Sequence, residues 1–286
     1  MDERRGTSRV RVPLGLAERA RELAAGGVPP AVPRDAATVI LVRQEPDLEA
    51  FLLRRARALE FAPGACVFPG GSVDERDADP AIGETAWAGP TAADLGDQLG
   101  ITADRARGLV CAAVRETFEE SGVLLAGPSP AELVRDGAVL ARDRRRLLDG
   151  SVSFGDLLGR RGLVLRADLL TPWARWITPE VSPRRFDTWF FAAALPDGQL
   201  AGLAAAGPGE SDSGTWWRPS AALEAARAGQ ITLLPPTAVT LAELAAHQDV
   251  ASILAQRRTI TPLLPRVIVE EERAWLAMPQ TVHYPL

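Results

Sequence analysis

Three glutamates in residues 115–123 are the side chains best suited to chemistry in this chain. Glu116, Glu119 and Glu120 are spaced i, i+3 and i+4. On an α-helix successive residues are 100° apart, so the three carboxylates share an arc of about 100° on one face. Like charges at this spacing repel each other. A hard divalent cation such as Mg²⁺ removes the conflict, because it prefers carboxylate oxygens and keeps water in its other positions. The spacing therefore predicts a metal-binding face, and the alternative is a solvated acidic face.

The residues around the glutamates resemble a known signature. Arg115 stands directly before the first glutamate, Gly122 is expected to end the helix, and a glycine turn lies upstream at residues 68–71. This arrangement resembles the Nudix hydrolase signature, G-x5-E-x7-R-E-U-x-E-E-x-G-U, in which U is apolar. In the second half of the signature only Thr117, at an apolar position, departs from the pattern.

The resemblance implies roles for these side chains. The implied ligands for Mg²⁺ or Mn²⁺ are Glu116, Glu119 and Glu120. Glu116 and Glu119 are also the implied catalytic carboxylates, and Arg115 is expected to pair with a glutamate and hold its side chain in place. Glu116, Glu210 and Asp212 remain as alternatives for the general base.

An insertion interrupts the signature. Thirteen residues separate the first glycine from the arginine in the family, whereas 43 separate them here, so about 30 residues are inserted after Gly71. Counted directly from Gly71, the first glutamate of the signature falls on Asp77, and Glu84 is the later alternative. We expect the insertion, about residues 78–107, to leave and re-enter the signature at nearby points, to be anchored by Trp87 and to be dispensable for folding. An insertion at this place resembles the acyl-coenzyme A diphosphatase branch of the superfamily.

A second block, at residues 52–71, suggests a substrate. It resembles the coenzyme A signature of Nudix diphosphatases, although Glu60 stands where that signature has an arginine. Arginine suits phosphate oxygens because its N–H groups form a planar fork. The implied substrate-binding residues are Arg54, Arg55, Gly70 and Gly71. The alternative for the two arginines is a solvated basic rim at the end of a strand.

A third block, at residues 173–191, resembles the WxTP…RFDTxFF segment of the same branch. Arg185 is thereby a further candidate for binding the substrate, with the neighbouring aromatic side chains stacking on an adenine. Alternating Trp and Phe in a β-rich run is also typical of a sheet core. Between these two blocks, the arginine-rich run at residues 142–146 is interpreted as a solvated face.

Composition excludes several classes of function. The net charge of −5 gives no basic field that would favour nucleic acid. All 32 basic residues are arginine, which excludes a P-loop lysine and a Schiff base. Cys66 and Cys111 are expected to be reduced and buried, and two histidines are too few for a histidine-based metal site. The sequence predicts no secretory signal and no membrane span, and hence a cytoplasmic protein.

The predicted elements fit an α/β protein. Two strands lead into the glycine turn and the glutamate helix, about residues 104–121, and a strand, a helical segment, two more strands and a helix follow. This order fits an α/β/α sandwich with a mixed β-sheet, the fold that the resemblance also implies. We place a lead-in at residues 1–35, the Nudix domain at 36–248 with a helical segment at 130–162, and an extension at 249–286.

The sequence predicts a metal-dependent diphosphatase. Its expected substrate is coenzyme A or an acyl-coenzyme A, cleaved to adenosine 3′,5′-bisphosphate and a phosphopantetheine. The same chemistry on ADP-ribose, a dinucleotide or a capped RNA end is the first alternative, which Glu60 leaves open. A non-catalytic Nudix-fold binding module is the second, and the three intact glutamates argue against it. The expected partner is a small nucleoside diphosphate derivative, and the assembly considered is a homodimer.

Overall fold

A computed structural model describes residues 9–11, 14–27, 29–57, 62–80, 82, 86–202, 211–270 and 273–286. The helices in these residues are α1 (Leu14–Ala24), α2 (Ala92–Leu99), α3 (Ala103–Ser121), α4 (Ala141–Leu148), α5 (Phe154–Arg161), α6 (Pro219–Arg227), α7 (Pro235–Leu244) and α8 (Val250–Leu254). The strands are β1 (Arg9–Arg11), β2 (Arg34–Gln44), β3 (Leu48–Arg55), β4 (Ala65–Val67), β5 (Gly70–Ser72), β6 (Trp87–Ala88), β7 (Ala126–Gly127), β8 (Val164–Arg166), β9 (Thr171–Ile177), β10 (Phe186–Ala194), β11 (Ser211–Trp217), β12 (Thr232–Leu233), β13 (Pro262–Leu263), β14 (Arg266–Glu270) and β15 (Arg273–Ala277).

Within these residues the core is a nine-stranded sheet between two helical layers. Its strand order is β12-β4-β3-β2-β10-β9-β13, with β11 paired to β3 and β5 paired to β2. Strand β2 runs parallel to β10 and antiparallel to β3, so the sheet is mixed. One face packs against α2 to α5, and the other packs against α6, α7 and α8. The predicted α/β/α sandwich with a mixed sheet is confirmed.

Most of the predicted elements are present, with shifted ends. The two strands predicted before the glycine turn are β2 and β3, which pair as an antiparallel hairpin. In the segment at 130–162, helical structure begins with the 3₁₀ turn Gly137–Leu140 and continues in α4 and α5. The strand predicted after the glutamate helix starts at Ala126, and the buried residues 123–125 connect it to the helix.

Helix α3 carries the three glutamates, and its own sequence sets its ends. The side chain of Thr102 accepts a hydrogen bond from the N–H of Arg105 at 3.3 Å, and Gly122 closes the helix in the left-handed region with φ of 78°, which glycine adopts without strain. Thr117, the residue that departs from the signature, is fully buried, and its hydroxyl donates to the carbonyl of Ala113 at 2.7 Å. That bond satisfies the hydroxyl inside an apolar environment.

An ion-pair network fixes the N-terminal half of α3 on the sheet. Arg105 donates to Asp35 at 2.6 and 2.9 Å and to Asp187 at 2.7 Å. Arg175 donates to Asp187 at 2.6 and 2.8 Å, and both guanidinium groups lie over the ring of Trp189. Burial works to raise the pKa of Asp187, but the hydrogen bonds from Arg175 and Arg105 outweigh it and lower the pKa.

Asp187→Asn is expected to lower the free energy of unfolding by about 2 kcal/mol at pH 7, because two arginines lose their charged partner. The folded-state pKa of Asp187 lies below the unfolded value of about 3.9, so this contribution is present above that value and is lost as the pH falls through the folded pKa. Urea unfolding of both proteins from pH 7 down to about pH 3 measures the difference. A difference that stays constant over this range would contradict an electrostatic origin.

The insertion leaves and re-enters the signature at nearby points, as predicted. A Cβ on Gly108 would lie 3.6 Å from the Cβ of Ala78, and Arg107 donates to the carbonyl of Ala78 at 3.3 Å. Trp87 lies on β6, which pairs with β8, and it packs against the hydrophobic core that contains residues of α3. Trp87 therefore anchors the insertion to the body of the protein.

The interior packing of the insertion contradicts the expectation that it is dispensable. Ile82, Leu95 and Leu99 expose between 3 and 6 % of their surface and belong to the same hydrophobic core as α3. Removing them would open that core to water. The insertion is therefore packed as a structural part of the domain, and we expect its removal to destabilise the fold. The spacing in the signature carries no information on burial, so the sequence did not indicate this.

The two ends of the chain meet in a small separate sheet. Strand β1 pairs with β15, and β15 pairs with β14. Helix α1 packs against β14 and β15. Strand β13 joins the main sheet beside β9. The lead-in and the extension thus contact each other, while the boundaries at residues 35 and 249 remain a prediction.

Candidate active site

The glycine turn and the glutamate helix meet where β5 lies against β2. The backbone N–H of Gly70 donates to Glu120 Oε2 at 2.8 Å. A Cβ on Gly71 would lie 2.4 Å from Glu116 Oε1, so only glycine allows the carboxylate to approach this closely. The turn therefore positions two of the three glutamates. Binding of substrate by Gly70 and Gly71 remains a prediction.

Arg115 organises the carboxylates from within the site. Its guanidinium donates to Asp77 at 2.8 to 3.3 Å, to Glu116 Oε1 at 2.8 Å and to Glu119 Oε2 at 3.2 Å. It also donates to the carbonyl of Ser72 at 2.9 Å. Burial works to lower the pKa of Arg115, but the hydrogen bonds that it donates to Asp77 and the charge of Glu116 outweigh it and raise the pKa. The predicted pairing of Arg115 with glutamates is present, and its most extensive partner is Asp77, the position reached by counting directly from the glycine turn.

Burial makes this concentration of negative charge costly. The side chains of Glu116 and Glu119 expose only 15 and 13 % of their surface, and that of Asp77 exposes 2 %. Burial raises the pKa of Glu116 to about 7, although the charge of Arg115 works against it. Burial also raises the pKa of Glu119. Arg115 pairs with all three carboxylates, and burial favours the neutral form of the two glutamates as long as no further cation is present.

The residues present fit a hard divalent cation, although their side chains do not form a complete set of ligands around one ion position. Among the described residues, no three acidic, histidine or cysteine side chains are placed to hold an ion together. Oxygens of Glu116 and Glu119 face Arg115, and an oxygen of Glu120 faces Gly70. The donors are all carboxylates, which are the ligands that Mg²⁺ and Mn²⁺ prefer. Ligation by Glu116, Glu119 and Glu120 remains a prediction.

Comparison with a family model decides the classification. The model of the NUDT19 Nudix domain matches residues 90–244, which is more than half of the chain. The chain belongs to the Nudix hydrolases. The matched range contains the glutamate helix and most of the elements that surround it, and the resemblance carried by residues 115–123 is thereby confirmed.

Individual relatives agree with this classification. The chain is 31% identical over 218 residues to putative nudix hydrolase 7 of Caenorhabditis elegans, covering 76% of this chain and 62% of that protein. It is 29% identical over 266 residues to the acyl-coenzyme A diphosphatase NUDT19 of Gallus gallus, covering 74 and 68%. The crystal structure of a Nudix hydrolase from Alicyclobacillus acidocaldarius superposes with a TM-score of 0.65 at 27% identity, over 80% of this chain and 98% of that one. The matches span about two thirds of the length of these curated relatives.

The two arginines of the coenzyme A-like block lie on opposite faces of the Nudix sheet. Leu53 packs in the core beneath α3, whereas Leu52 packs in the core on the other face. Side chains alternate along a strand, so Arg55 shares the face of the glutamate helix and Arg54 does not. The charge of Arg54 acts on Cys66 on that other face, where burial raises the pKa of the thiol. Arg55 is therefore the stronger of the two substrate-binding candidates.

Arg185 makes structural contacts in this Nudix domain. It exposes 8% of its surface and donates to the carbonyls of Thr178 at 3.0 Å and Ala31 at 2.8 Å. Trp176 and Trp189 in the same block expose 4 and 1 %. The sheet-core interpretation of these aromatic residues is confirmed, and their burial contradicts stacking on an adenine. A substrate contact by Arg185 remains a prediction that none of its observed hydrogen bonds supports.

Arg144 is a residue of the site that sequence reasoning missed. It lies in the run at residues 142–146 that was interpreted as a solvated face, yet its Nε donates to the carbonyl of Glu119 at 3.0 Å. Burial lowers the pKa of Arg144, while the charges of Glu120 and Glu119 act to raise it. Only the packing of α4 against the end of α3 distinguishes this arginine from its neighbours.

Of the remaining predicted residues, only Asp212 is among those that the structure describes. Asp212 is exposed and lies at the irregularity in the pairing of β11 with β3. Glu60, Glu84 and Glu210 lie outside the described residues. In the part of the chain that the structure describes, no helix has the length and apolar character needed to cross a membrane.

Proposed function

We propose that this Nudix hydrolase is a Mg²⁺- or Mn²⁺-dependent diphosphatase that cleaves the pyrophosphate bond of coenzyme A or an acyl-coenzyme A. The products are adenosine 3′,5′-bisphosphate and the corresponding phosphopantetheine. The observation that carries the proposal is the glutamate face of α3, packed against the Gly70–Gly71 turn and organised by Arg115. The coenzyme A-like block and relatives named acyl-coenzyme A diphosphatase support the choice of substrate.

The protein's own residues preorganise this chemistry. A divalent cation held by Glu116, Glu119 and Glu120 would neutralise the diphosphate and lower the pKa of a bound water. Gly70 fixes Glu120 from the backbone, and Arg115 keeps the other two carboxylates on one side of α3. Asp77 in turn holds Arg115, so that each carboxylate is oriented before substrate arrives.

The proton of the attacking water must pass to a carboxylate. Glu116 is the buried candidate, within the site that Arg115 organises. Asp212 is the exposed candidate, on an edge strand. Because a general base must lie within hydrogen-bond reach of its water, we favour Glu116. Comparing Glu116→Gln with Asp212→Asn tests this choice, and a larger loss of kcat in Asp212→Asn would reverse it.

Other diphosphate substrates form the alternative within the same chemistry. Glu60, at the arginine position of the coenzyme A signature, keeps ADP-ribose, dinucleotides and capped RNA in consideration. The net charge of −5 argues against RNA. A non-catalytic binding module would not need the close approach of Gly71 to Glu116 or the bonds from Arg115 to both glutamates.

A substrate panel tests the proposed specificity. With Mg²⁺ or Mn²⁺ present, kcat/KM for coenzyme A thioesters is expected to exceed that for ADP-ribose and dinucleotides. Chromatography with mass detection gives both the rates and the products. An advantage of about tenfold or more for ADP-ribose, equivalent to about 1.4 kcal/mol in transition-state binding, would replace coenzyme A as the substrate while leaving the diphosphatase chemistry in place.

Gly71→Ala is expected to lower kcat by about tenfold or more. The added Cβ would lie 2.4 Å from Glu116 Oε1, so the carboxylate must move, and displacements of about 1 Å in a catalytic group cost up to about 10²-fold. Gly159→Ala on α5 is the matched control, since no atom lies within 4 Å of its Cβ position. Steady-state kinetics and thermal unfolding of both variants are compared with wild type. Full activity in Gly71→Ala would show that the position of Glu116 is not critical.

A further inference from the structure

A cavity of about 200 Å³ lies between the glutamate face and the turn that joins α4 to α5. Charged groups of the site, among them Asp77, Arg115 and Glu119, line one side of it. The end of α4, the turn and the start of α5 line the other side with four apolar side chains, Leu147, Leu148, Val152 and Phe154, together with Gly150 and Ser153. A ligand whose charged end met the glutamate face would thus have an apolar surface beside it.

The apolar wall is fixed relative to the glutamates. Arg144 on α4 donates to the carbonyl of Glu119 at 3.0 Å, which ties this helix to the C-terminal end of α3. Leu147 and Phe154 expose 6 and 2 % of their surface and belong to the same hydrophobic core as α3. The apolar wall is therefore part of the packed domain, and its position relative to the glutamates on α3 is fixed.

Leu148 differs from the rest of this wall. It exposes 49% of its surface, whereas Val152 exposes 5%. A single exposed leucine is ordinary on a protein surface. Leu148, however, lines a cavity that it shares with Arg115 and Glu119, so its exposed surface adjoins the point where a diphosphate would be cleaved.

We propose that this cavity receives the acyl-pantetheine arm of the substrate, and that Leu148 is a specificity-determining residue; the inference rests on the proposed function. Of the apolar side chains that line the cavity, Leu148 presents the most surface, and it would leave a hydroxyl group placed against it without a partner. Methylene groups gain by leaving water against it. The volume is below the range of about 300–1,000 Å³ for whole ligands, so the cavity holds only the part of the arm next to the diphosphate.

The test compares three variants of the full-length chain. Leu148→Gln keeps the size of the side chain but makes it polar, and Leu148→Met restores an apolar one. Val139→Gln is the matched control, because Val139 is 68% exposed on the preceding 3₁₀ turn and does not line the cavity. KM and kcat are measured with octanoyl-coenzyme A, and inhibition constants are measured with each product separately.

Leu148→Gln is expected to raise KM for octanoyl-coenzyme A and the inhibition constant of octanoyl-phosphopantetheine by about tenfold each, with kcat within about twofold of wild type. Inhibition by adenosine 3′,5′-bisphosphate, which lacks the arm, should not change. Leu148→Met should restore the wild-type values, and Val139→Gln should match them. Equal thermal unfolding midpoints exclude a loss of folding, since Leu148 is half-exposed.

Two results would overturn the inference in different ways. If wild type cleaves octanoyl-coenzyme A, and Leu148→Gln either changes nothing or weakens both products equally, the cavity does not hold the arm and the proposed function stands. If wild type cleaves no coenzyme A derivative, this result contradicts the proposed substrate and therefore also the proposed role of Leu148.

Discussion

Glu120→Gln is expected to lower kcat by at least about 10²-fold on any diphosphate substrate, because electrostatic and general-base contributions are each of about that order. Glutamine keeps the shape of the side chain, and its amide oxygen can still accept the hydrogen bond from Gly70. What it removes is the negative charge that a divalent cation needs. Steady-state kinetics with saturating Mg²⁺ or Mn²⁺ measure the loss.

The control for this prediction is Glu224→Gln, the same change at an exposed position on α6 in the opposite helical layer. It should leave kcat and the unfolding midpoint at wild-type values. Activity of Glu120→Gln equal to that of wild type would remove this residue from the site. A parallel loss in both variants would indicate a general effect of reduced surface charge instead.

Replacing residues 79–101 by a short glycine linker is expected to abolish folding. The insertion buries Ile82, Leu95 and Leu99 in the core beside α3, and each such side chain contributes about 1.5–3 kcal/mol. Their sum approaches the whole stability of a typical domain, about 5–15 kcal/mol. Circular dichroism and urea unfolding of the shortened protein provide the measurement. A cooperative transition at the wild-type urea concentration would restore the view that the insertion is dispensable.

A point variant separates burial from chain length in this prediction. Leu95→Ala should lower the free energy of unfolding by about 2–5 kcal/mol, because it removes buried methylene groups and leaves a cavity. Asp97→Ala lies two residues further along α2 and is exposed, so it should change stability by less than about 0.5 kcal/mol. Equal effects of the two substitutions would argue against a core role for the insertion.

The parts of the site that the sequence predicted depend on local rules. The spacing of Glu116, Glu119 and Glu120 requires only helical periodicity to bring them to one face. The C-terminal end of α3 follows from Gly122, whose conformational freedom acts within a few residues. Asp77 could be found by counting, because the insertion begins after it and leaves the start of the signature intact.

The parts that the sequence did not predict depend on long-range packing. Arg54 and Arg55 look equivalent in sequence, yet strand alternation on a sheet covered on both faces sends them to opposite layers. Arg144 is one arginine in a charged run until α4 docks on the end of α3. The burial of Arg185 and of the insertion likewise depends on which surfaces meet in the folded chain. The amino-acid composition does not predict these contacts.

The most direct test of the central claim identifies the products formed from octanoyl-coenzyme A. With Mg²⁺ or Mn²⁺, we predict equal amounts of adenosine 3′,5′-bisphosphate and octanoyl-phosphopantetheine by mass spectrometry, and loss of both in excess chelator and in Glu120→Gln. Full cleavage in chelator, or release of octanoate and intact coenzyme A through hydrolysis of the thioester, would contradict a metal-dependent diphosphatase at this site.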